Sequence, residues 1–397
     1  MAEAKSGSVT TACSVLQPMY LLTELILFSP LMVYACVRVR GLIPGPRLKR
    51  WFVFFYILLF LGYPLAEIIS HRATDGWIVW VILCGYYCLP YLLYITLTVL
   101  AIDVAIAIAL LTRLMSRDTT ASAGIRRLRL ICYLAIPALI VTWGAWDNNR
   151  LRVKTVSIEL PRKSSALEEL RIVFASDFHL STITSDGLVE RFIEKVNAVN
   201  PDIVLIGGDV LEGDSDEELN KFASQFRNLR SRYGVYAAPG NHERRRGNAQ
   251  KFFERAGVNF LEDRVEKIDN SFYLAGRNYS RRPPGRKGIH ELLNDASENL
   301  PIILLDHSPT DLENASKSRA DLQLSGHTHN GQLFPVNLVV IPFEYELPWG
   351  TRIKRITIFI ASSGLQAWGP PVKTAGDSEI LLIEVRFAGG PRIVSGF

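Results

Sequence analysis

Apolar residues are concentrated in four long runs within the first 146 residues of the chain. The runs are Met19–Val37, Trp51–Ile69, Trp77–Val99 with an extension toward Leu111, and Leu130–Trp146. Each is close to the roughly 20 residues that a helix needs to cross the hydrocarbon core of a bilayer. Tryptophans stand near the ends of these runs, where indole rings favour the membrane interface. We therefore predict a membrane domain of four transmembrane helices, covering residues 1–149.

A different pattern begins after Trp146. Short β-branched runs end in loop residues at Leu170–Ser176, Ile203–Gly207, Val235–Ala238, Ile302–Leu305, Leu322–Leu324, Ile356–Ala361 and Ile380–Phe387. The spacing of apolar residues predicts helices over Gly187–Asn200 and Asp216–Arg230. Because strands alternate with helices early and follow one another late, we predict one α/β domain over residues 150–397, with sheets covered by helices.

Basic residues predict how the helices are oriented. Two loops, one after the first apolar run and one before the fourth, are rich in Lys and Arg: Arg38, Arg40, Arg47, Lys49 and Arg50, then Arg113, Arg117, Arg126, Arg127 and Arg129. Short loops of this kind stay in the cytoplasm. We therefore expect an integral protein of a bacterial cytoplasmic membrane, with the chain after Asp147 outside the cytoplasm. Arg150, Arg152 and Lys154 argue mildly against this side, and two crossings within Trp77–Thr112 would reverse it.

Composition agrees with this division and narrows the function. Hydrophobic residues make up 48% of the 397 residues and charged residues 21%, which is more apolar than most soluble chains. The net charge of +5 is too small to indicate a nucleic-acid-binding protein. All five cysteines precede Asp147, so the second half has neither zinc fingers nor disulfides.

Five polar motifs follow predicted strands, and they contain five of the seven histidines of the chain. They are D-F-H (Asp177, His179), G-G-D (Asp209), G-N-H-E (Asn241, His242, Glu243), D-H-S-P (His307) and G-H-T-H (His327, His329). Two divalent ions about 3.5–4 Å apart need a bridging carboxylate with imidazole and oxygen ligands around them. We expect the pairs at i and i+2 to project to one side of an extended segment, and nearby glycines to let the backbone approach closely. The motifs therefore predict a site for two divalent metal ions.

These motifs, with G-H-T-H-N-G-Q in full, resemble the signature of the calcineurin-like metallophosphoesterase superfamily. The tail S-S-G-L-Q-A-W-G-P-P-V (Ser362–Val372) is similar to the membrane-associated branch, which includes the bacterial YkuE-like enzymes and the transmembrane proteins with a metallophosphoesterase domain. The resemblance spans Leu170 to Val385. It implies a β-sandwich flanked by helices, and a metal-dependent hydrolase of phosphoric esters.

The resemblance also implies a role for each motif residue. Seven residues would hold two ions of Mn, Fe or Zn: Asp177, His179 and His329 for one ion, Asn241, His307 and His327 for the other, and Asp209 bridging both. His242 matches a histidine that is not a ligand and acts as general acid or charge stabiliser. The implied reaction is direct attack by a hydroxide shared between the ions.

Other polar residues near the motifs have open roles. Arg244, Arg245 and Arg246 form either a solvated basic turn or a clamp for a second phosphate or an anionic headgroup, since guanidinium binds phosphate through two hydrogen bonds. The basic residues of the segment Arg277–Lys287 would either extend the same patch or hold the domain against anionic lipid. We expect Glu212 and Glu243 to be either carboxylates that support the metal ligands or solvated carboxylates, rather than ligands themselves, and Asp306 not to be a ligand.

Membrane attachment favours a lipid-borne phosphate substrate over a phosphorylated small molecule, and membrane lipids as neighbours. One alternative is a UDP-diacylglucosamine-type pyrophosphatase, which requires an active site in the cytoplasm. Another is a non-catalytic membrane transport or sensing protein, for which the intact ligand set has no use. The sequence predicts no nucleic-acid partner and does not indicate an oligomeric state.

Overall fold

The computed structural model describes residues 29–70, 76–181, 183–185, 187–212, 216–246, 249–279, 285–339 and 341–397. The chain divides into two units, Met1–Trp143 and Gly144–Phe397.

Long apolar helices dominate the first unit. Residues 29–42 are helical (α1) and are followed by α2 (Pro46–Ser70), α3 (Trp77–Leu111), the short α4 (Arg117–Ala121) and α5 (Ala123–Asn148), whose last turn belongs to the second unit. Among the described residues, α2, α3 and α5 are long and apolar enough to cross a membrane. Three of the four predicted apolar runs are thus confirmed as helices whose length and composition suit a membrane crossing. The first predicted run, Met19–Val37, begins outside the described residues, so the crossing by this first helix stays a prediction.

Helix α3 is a single helix of 35 residues, which confirms the expectation of one helix across the run. At 1.5 Å per residue its length is roughly 50 Å, well over the ~30 Å hydrocarbon core. Its aspartate, Asp103, accepts hydrogen bonds from Tyr34 (2.8 Å) and Tyr133 (2.7 Å) and pairs with Arg38 and Arg129. A carboxylate within an apolar helix therefore has four partners, as a buried charge requires.

Two sheets and their covering helices form the second unit. The strands are β1 (Arg152–Pro161), β2 (Glu169–Ala175), β3 (Ile203–Ile206), β4 (Val235–Ala237), β5 (Asn259–Phe260), β6 (Arg264–Ile268), β7 (Phe272–Gly276), β8 (Ile302–Leu305), β9 (Leu322–Ser325), β10 (Gly350–Lys354), β11 (Thr357–Ala361), β12 (Glu379–Ala388) and β13 (Arg392–Ser395). The helices are α6 (Leu188–Ala198), α7 (Asp216–Phe226), α8 (Asn241–Arg246), α9 (Ala249–Ala256), α10 (Ile289–Leu292), α11 (Leu312–Ser316), α12 (Val336–Val339) and α13 (Ile341–Glu344).

Strand order explains how the core is built. One sheet has the order β13-β1-β12-β2-β3-β4-β5 and the other β10-β11-β9-β8-β7-β6. Side chains such as Phe174 and Leu205 of the first sheet and Leu305 and Leu324 of the second form one buried cluster. Separate clusters join the outer faces to α6, α7 and α9 on one side and to α10 and α11 on the other. The domain is therefore a pair of packed sheets with helices outside, as predicted.

All seven predicted strands are present, but six further strands were not predicted: β1, β5, β6, β7, β10 and β13. Strand β1 carries a period-2 signal, because Val156, Ile158 and Leu160 are buried. The β6–β7 hairpin turns at Asp269 and Asn270, which have φ of 46° and 51°. Two consecutive positive φ values at Asp and Asn are typical of the tight turns that join antiparallel strands.

Candidate metal centre

The five motifs lie at one end of both sheets. D-F-H, G-G-D and G-N-H-E follow the neighbouring strands β2, β3 and β4, and D-H-S-P and G-H-T-H follow β8 and β9. Strands β2, β3 and β4 are parallel to one another, as are β8 and β9. Because the carboxyl ends of parallel strands meet at the same edge of a sheet, side chains from distant parts of the sequence converge there. The prediction that each motif follows a strand is confirmed.

The local backbone differs from the prediction. Five motif residues have φ between 44° and 74°: Asp177, His179, Asp209, His327 and His329. Residues other than glycine rarely occupy this left-handed region, and they cluster at functional sites when they do. The prediction that the i and i+2 pairs project from extended segments was therefore wrong. Tight left-handed turns, held by the surrounding fold, bring these side chains together.

Two glycines are required by close approach to the aspartates. A Cβ on Gly240 would lie 2.2 Å from Oδ1 of Asp209, and a Cβ on Gly326 would lie 2.3 Å from Oδ2 of Asp177. Neither position has room for a side chain. This agrees with the expectation that the glycines of the motifs allow the backbone to approach the site closely.

Asp177, His179 and His329 form one cluster of potential metal ligands. Nε2 of His179 lies 3.1 Å from Nε2 of His329, and Nε2 of His329 lies 3.5 Å from Oδ1 of Asp177. The other nitrogen of each ring is anchored, since Nδ1 of His179 faces Glu212 (2.6 Å) and Nδ1 of His329 faces the carbonyl oxygen of Gln366 (3.2 Å). Acceptors at both Nδ1 positions leave Nε2 unprotonated in neutral rings. The lone pairs of the two Nε2 atoms therefore face each other at 3.1 Å. This arrangement suits a cation that is bound by both rings and by Asp177.

Asp209, His307 and His327 form a second cluster. Nε2 of His307 lies 3.1 Å from Oδ2 of Asp209, while its Nδ1 faces the carbonyl oxygen of Gly207 at 2.7 Å. Burial lowers the pKa of the His307 ring, but Asp209 outweighs burial and raises that pKa to about 10. The buried aspartate thus attracts positive charge to this position. The neighbouring Oδ1 of Asn241 is buried with no hydrogen-bond partner among the described residues, and a metal ion would satisfy it.

Asp209 connects this cluster to a third, which contains His179, Asp209 and His242. Nε2 of His242 lies 3.9 Å from Oδ2 of Asp209, and its Nδ1 lies 3.1 Å from Glu212. All six Asp and His residues predicted as ligands therefore lie in overlapping clusters, with Asp209 in the middle. Geometry alone also permits His242 to bind a metal ion, so its separate role stays a prediction.

Glu212 and Glu243 support the site, and the sequence indicated this only weakly. The carboxylate of Glu212 contacts Nδ1 of both His179 and His242. Although burial favours its protonated form, His242 and His179 hold the pKa of Glu212 well below its usual range, so it stays charged. Glu243 accepts backbone hydrogen bonds from Asp209 (2.8 Å), Val210 (2.6 Å) and Leu211 (3.0 Å). Such partners fix the orientation of ligands and of the loops that carry them.

Two residues of the C-terminal tail were missed. The Gln366 side chain donates to the backbone carbonyls of Phe178 and His179, while its own carbonyl anchors His329. Lys373 is fully buried and donates to the carbonyls of Ser363 (2.8 Å), Gly364 (3.0 Å) and Asp377 (3.0 Å), which fixes the turn behind Asp177. Burial lowers the pKa of Lys373 to about 8, with Glu379 acting in the opposite direction. The only sequence signal was that both residues lie in or beside the recognised tail.

The two basic segments that the sequence offered as anion-binding sites, Arg244–Arg246 and Arg277–Lys287, differ in what the structure shows of them. Arg244, Arg245 and Arg246 form the second half of helix α8, directly after Glu243, and their side chains lie outside the part of the chain that the structure describes. Arg277 and Arg286 both pair with Asp306, which removes Asp306 from the metal site. The positive charges of both arginines are held in ion pairs with Asp306 inside the domain. The two arginines therefore do not form a free anion-binding patch.

Comparisons with known proteins agree with this geometry. The family model described as Calcineurin-like phosphoesterase matches residues 170–331. A transmembrane protein with metallophosphoesterase domain from Danio rerio is 30% identical over 70% of this chain and 67% of its own length. An uncharacterised metallophosphoesterase of Campylobacter jejuni is 28% identical over 84% of this chain and 89% of its own, so the similarity includes part of the helical half.

A more limited match involves a protein with a named substrate. The UDP-2,3-diacylglucosamine pyrophosphatase LpxG of Chlamydia muridarum is 32% identical over 27% of this chain and 34% of its own length. The family model, the two longer relatives and the convergence of the motifs all lead to the same assignment. The chain is a membrane protein of the calcineurin-like metallophosphoesterase family and a hydrolase of phosphoric esters.

Proposed function

We propose that this enzyme hydrolyses the phosphate ester of a lipid-linked substrate, with two divalent metal ions held by the overlapping clusters. The observation that supports it is the convergence of the imidazole nitrogens of His179, His307 and His329 on the buried carboxylates of Asp177 and Asp209. The ligands would be those implied by the sequence: Asp177, His179, Asp209, Asn241, His307, His327 and His329. Mixed carboxylate, amide and imidazole donors suit Mn, Fe or Zn and do not discriminate among them.

Bound ions would supply positive charge for the phosphate oxygens and lower the pKa of a water molecule at the site. The protein would provide the remaining chemistry. Asp209 would be shared between the ions and, with its backbone held by Glu243, would fix their separation. Glu212 would orient His242 through Nδ1, which leaves Nε2 on the side of Asp209 to stabilise or protonate the leaving oxygen.

A lipid substrate is supported by the membrane helices and by the transmembrane relative. A panel of substrates would test it. Purified full-length enzyme should lose activity on chelation, regain it with Mn, and hydrolyse phospholipids, polyprenyl phosphates or nucleotide lipids faster than soluble nucleotides and sugar phosphates. Faster turnover of the soluble esters, at equal concentration in mixed micelles, would contradict the lipid assignment and leave the phosphoesterase chemistry intact.

We also propose that the active site lies outside the cytoplasm. This proposal is supported by helix α5, which is long and apolar enough for one crossing and carries Arg126, Arg127 and Arg129 in its first two turns, since positive residues of this kind stay inside. Two of the three basic residues that argued against this side form ion pairs within the domain. Arg152 pairs with Asp147 and Asp377, and Lys154 pairs with Asp377 and Glu379.

The second candidate is a nucleotide-lipid pyrophosphatase, favoured by the match to the UDP-2,3-diacylglucosamine enzyme. That substrate would require a cytoplasmic active site, so topology separates the two candidates. A periplasmic phosphatase fused after Phe397 should be active in bacterial cells, and a fluorescent protein that matures only in the cytoplasm should be dark at the same position. Fusions after Pro44, in the turn between α1 and α2, serve as the matched control and should give the opposite result. A bright fusion after Phe397 would make the pyrophosphatase the leading candidate.

A further inference from the structure

An apolar segment of the second unit, described over residues 333–339 and 341–345, leaves large side chains in solvent. Four of them are at least half exposed: Phe334, Leu338, Val339 and Phe343. Phe343 is 89% exposed. Elsewhere in the described part of this unit, the large apolar side chains with comparable exposure are Trp146, Ile356 and Val394. Exposed apolar side chains that cluster in this way mark a surface that contacts a protein or a membrane.

This apolar segment lies next to two of the predicted metal ligands, His327 and His329. It begins after the turn that follows His329, and a Cβ on Gly331 would lie 2.8 Å from Cα of Asn337, so α12 folds back onto that turn. At its other end, the ring of Tyr345 lies 5.8 Å from the ring of His327. Both ends of the segment therefore contact elements that carry predicted ligands.

The same segment lies close to the point where the chain leaves its last transmembrane helix. The backbone N–H of Lys373 donates to the carbonyl of Gly144 in the last turn of α5 (3.0 Å). The next residue, Thr374, accepts from the backbone N–H of Phe334 through its hydroxyl (2.9 Å). Two hydrogen bonds and one peptide unit thus join the end of α5 to the start of the apolar segment.

Trp146 indicates where the bilayer surface lies along α5. Its ring is exposed, and the guanidinium of Arg150 lies 4.5 Å from the ring centroid. A tryptophan that ends a transmembrane helix and is followed by a cation is typical of the level of the lipid headgroups. The segment that is joined to this turn is therefore close to the same level.

We propose that the apolar segment inserts into the headgroup region of the lipid bilayer and places the metal centre beside lipid phosphates. Insertion would remove Phe334, Leu338 and Phe343 from water, and interfacial segments bury such side chains about 5–10 Å deep. Trp368 extends this surface, because its backbone N–H and carbonyl both pair with the side chain of Gln332, the residue directly before the segment. The occupant is the bilayer that already holds α5, since that helix and the segment share the Lys373–Thr374 connection.

Depth-dependent fluorescence would test the insertion directly, without depending on any activity. Phe343→Cys and the control Val394→Cys, each in a full-length chain whose native cysteines are replaced, would carry an environment-sensitive fluorophore in nanodiscs of phosphatidylcholine and phosphatidylglycerol. The label at position 343 should emit at shorter wavelength and lose intensity when doxyl-labelled lipids are added, whereas the label at 394 should not. Equal emission and equal quenching at the two positions would overturn the proposal. A label at 343 that is shielded only at high protein concentration, and is not quenched by doxyl lipid, would assign the surface to a second copy of the chain and would also overturn it.

A kinetic comparison deepens the test and rests on the proposed function. The variant Leu338→Ser with Phe343→Ser should lower the ratio of the rate on a phospholipid in vesicles to the rate on a soluble phosphodiester by about tenfold. The control Val394→Ser should leave this ratio unchanged. An unchanged ratio in the double variant would contradict insertion. If neither enzyme hydrolyses lipid, the assignment of substrate fails, and the fluorescence result still decides whether the segment inserts.

Discussion

The phosphoesterase activity of the Asp209→Asn variant is expected to fall by more than about 100-fold. The variant should also lose most of its bound metal. Loss of a residue that only orients a metal ligand already costs 10–100-fold, and Asp209 would be a ligand to both ions. Asparagine keeps the oxygen that accepts from the backbone N–H of His242 (2.8 Å), so the fold is retained. It replaces the negative charge 3.1 Å from Nε2 of His307 with a neutral amide.

Elemental analysis and turnover measured on the same preparation would check this prediction. Asp321→Asn is the matched control, because Asp321 is equally buried, accepts from the backbone N–H of Ile302 and pairs with Lys163 away from the motifs. That variant should unfold at a lower temperature but keep its metal content. An Asp209→Asn enzyme with full metal content and normal turnover would show that Asp209 is not a shared ligand.

Replacement of His242 by alanine should lower turnover by about 10²–10⁴-fold, which is the usual range for a positioned acid or base. The metal content should stay unchanged. Nδ1 of His242 contacts Glu212, and its Nε2 lies 3.9 Å from Asp209. The ring is thus held beside the metal ligands by a carboxylate that also orients His179.

The same two measurements, metal content and turnover, separate the two roles that geometry permits for His242. His290→Ala is the control, since His290 is exposed in α10 and lies outside the clusters, and it should change neither quantity. If His242→Ala loses one metal ion per chain, then His242 is a ligand and the acid must be sought elsewhere. Esters with good leaving groups should suffer least in this variant if the ring protonates the leaving oxygen.

Hydrophobic patterning was sufficient to predict the elements that carry the site. Runs such as Ile203–Ile206 and Ile302–Leu305 are continuous and apolar because both faces of these strands are buried. The polar residues that follow each run could then be assigned to the same edge of a sheet. Strands at the margins were harder to predict. Strand β1 pairs with β12 in parallel register, from Arg152 with Glu379 to Pro161 with Ala388, and no local signal encodes such a distant partner.

The sequence by itself determined three long apolar helices, the α/β domain and the order of the motifs, because each of these depends on local composition and spacing. Only the tertiary structure decided which ring nitrogen faces the centre, since this depends on Glu212, Gln366 and Gly207, which meet the histidines across the fold. It also decided that Arg277 and Arg286 form ion pairs with Asp306, and that Phe343 is exposed in the apolar segment that follows His329. Partners of this kind are far apart in sequence. Their contacts are fixed by packing of the two sheets and by left-handed turns that no local pattern specifies.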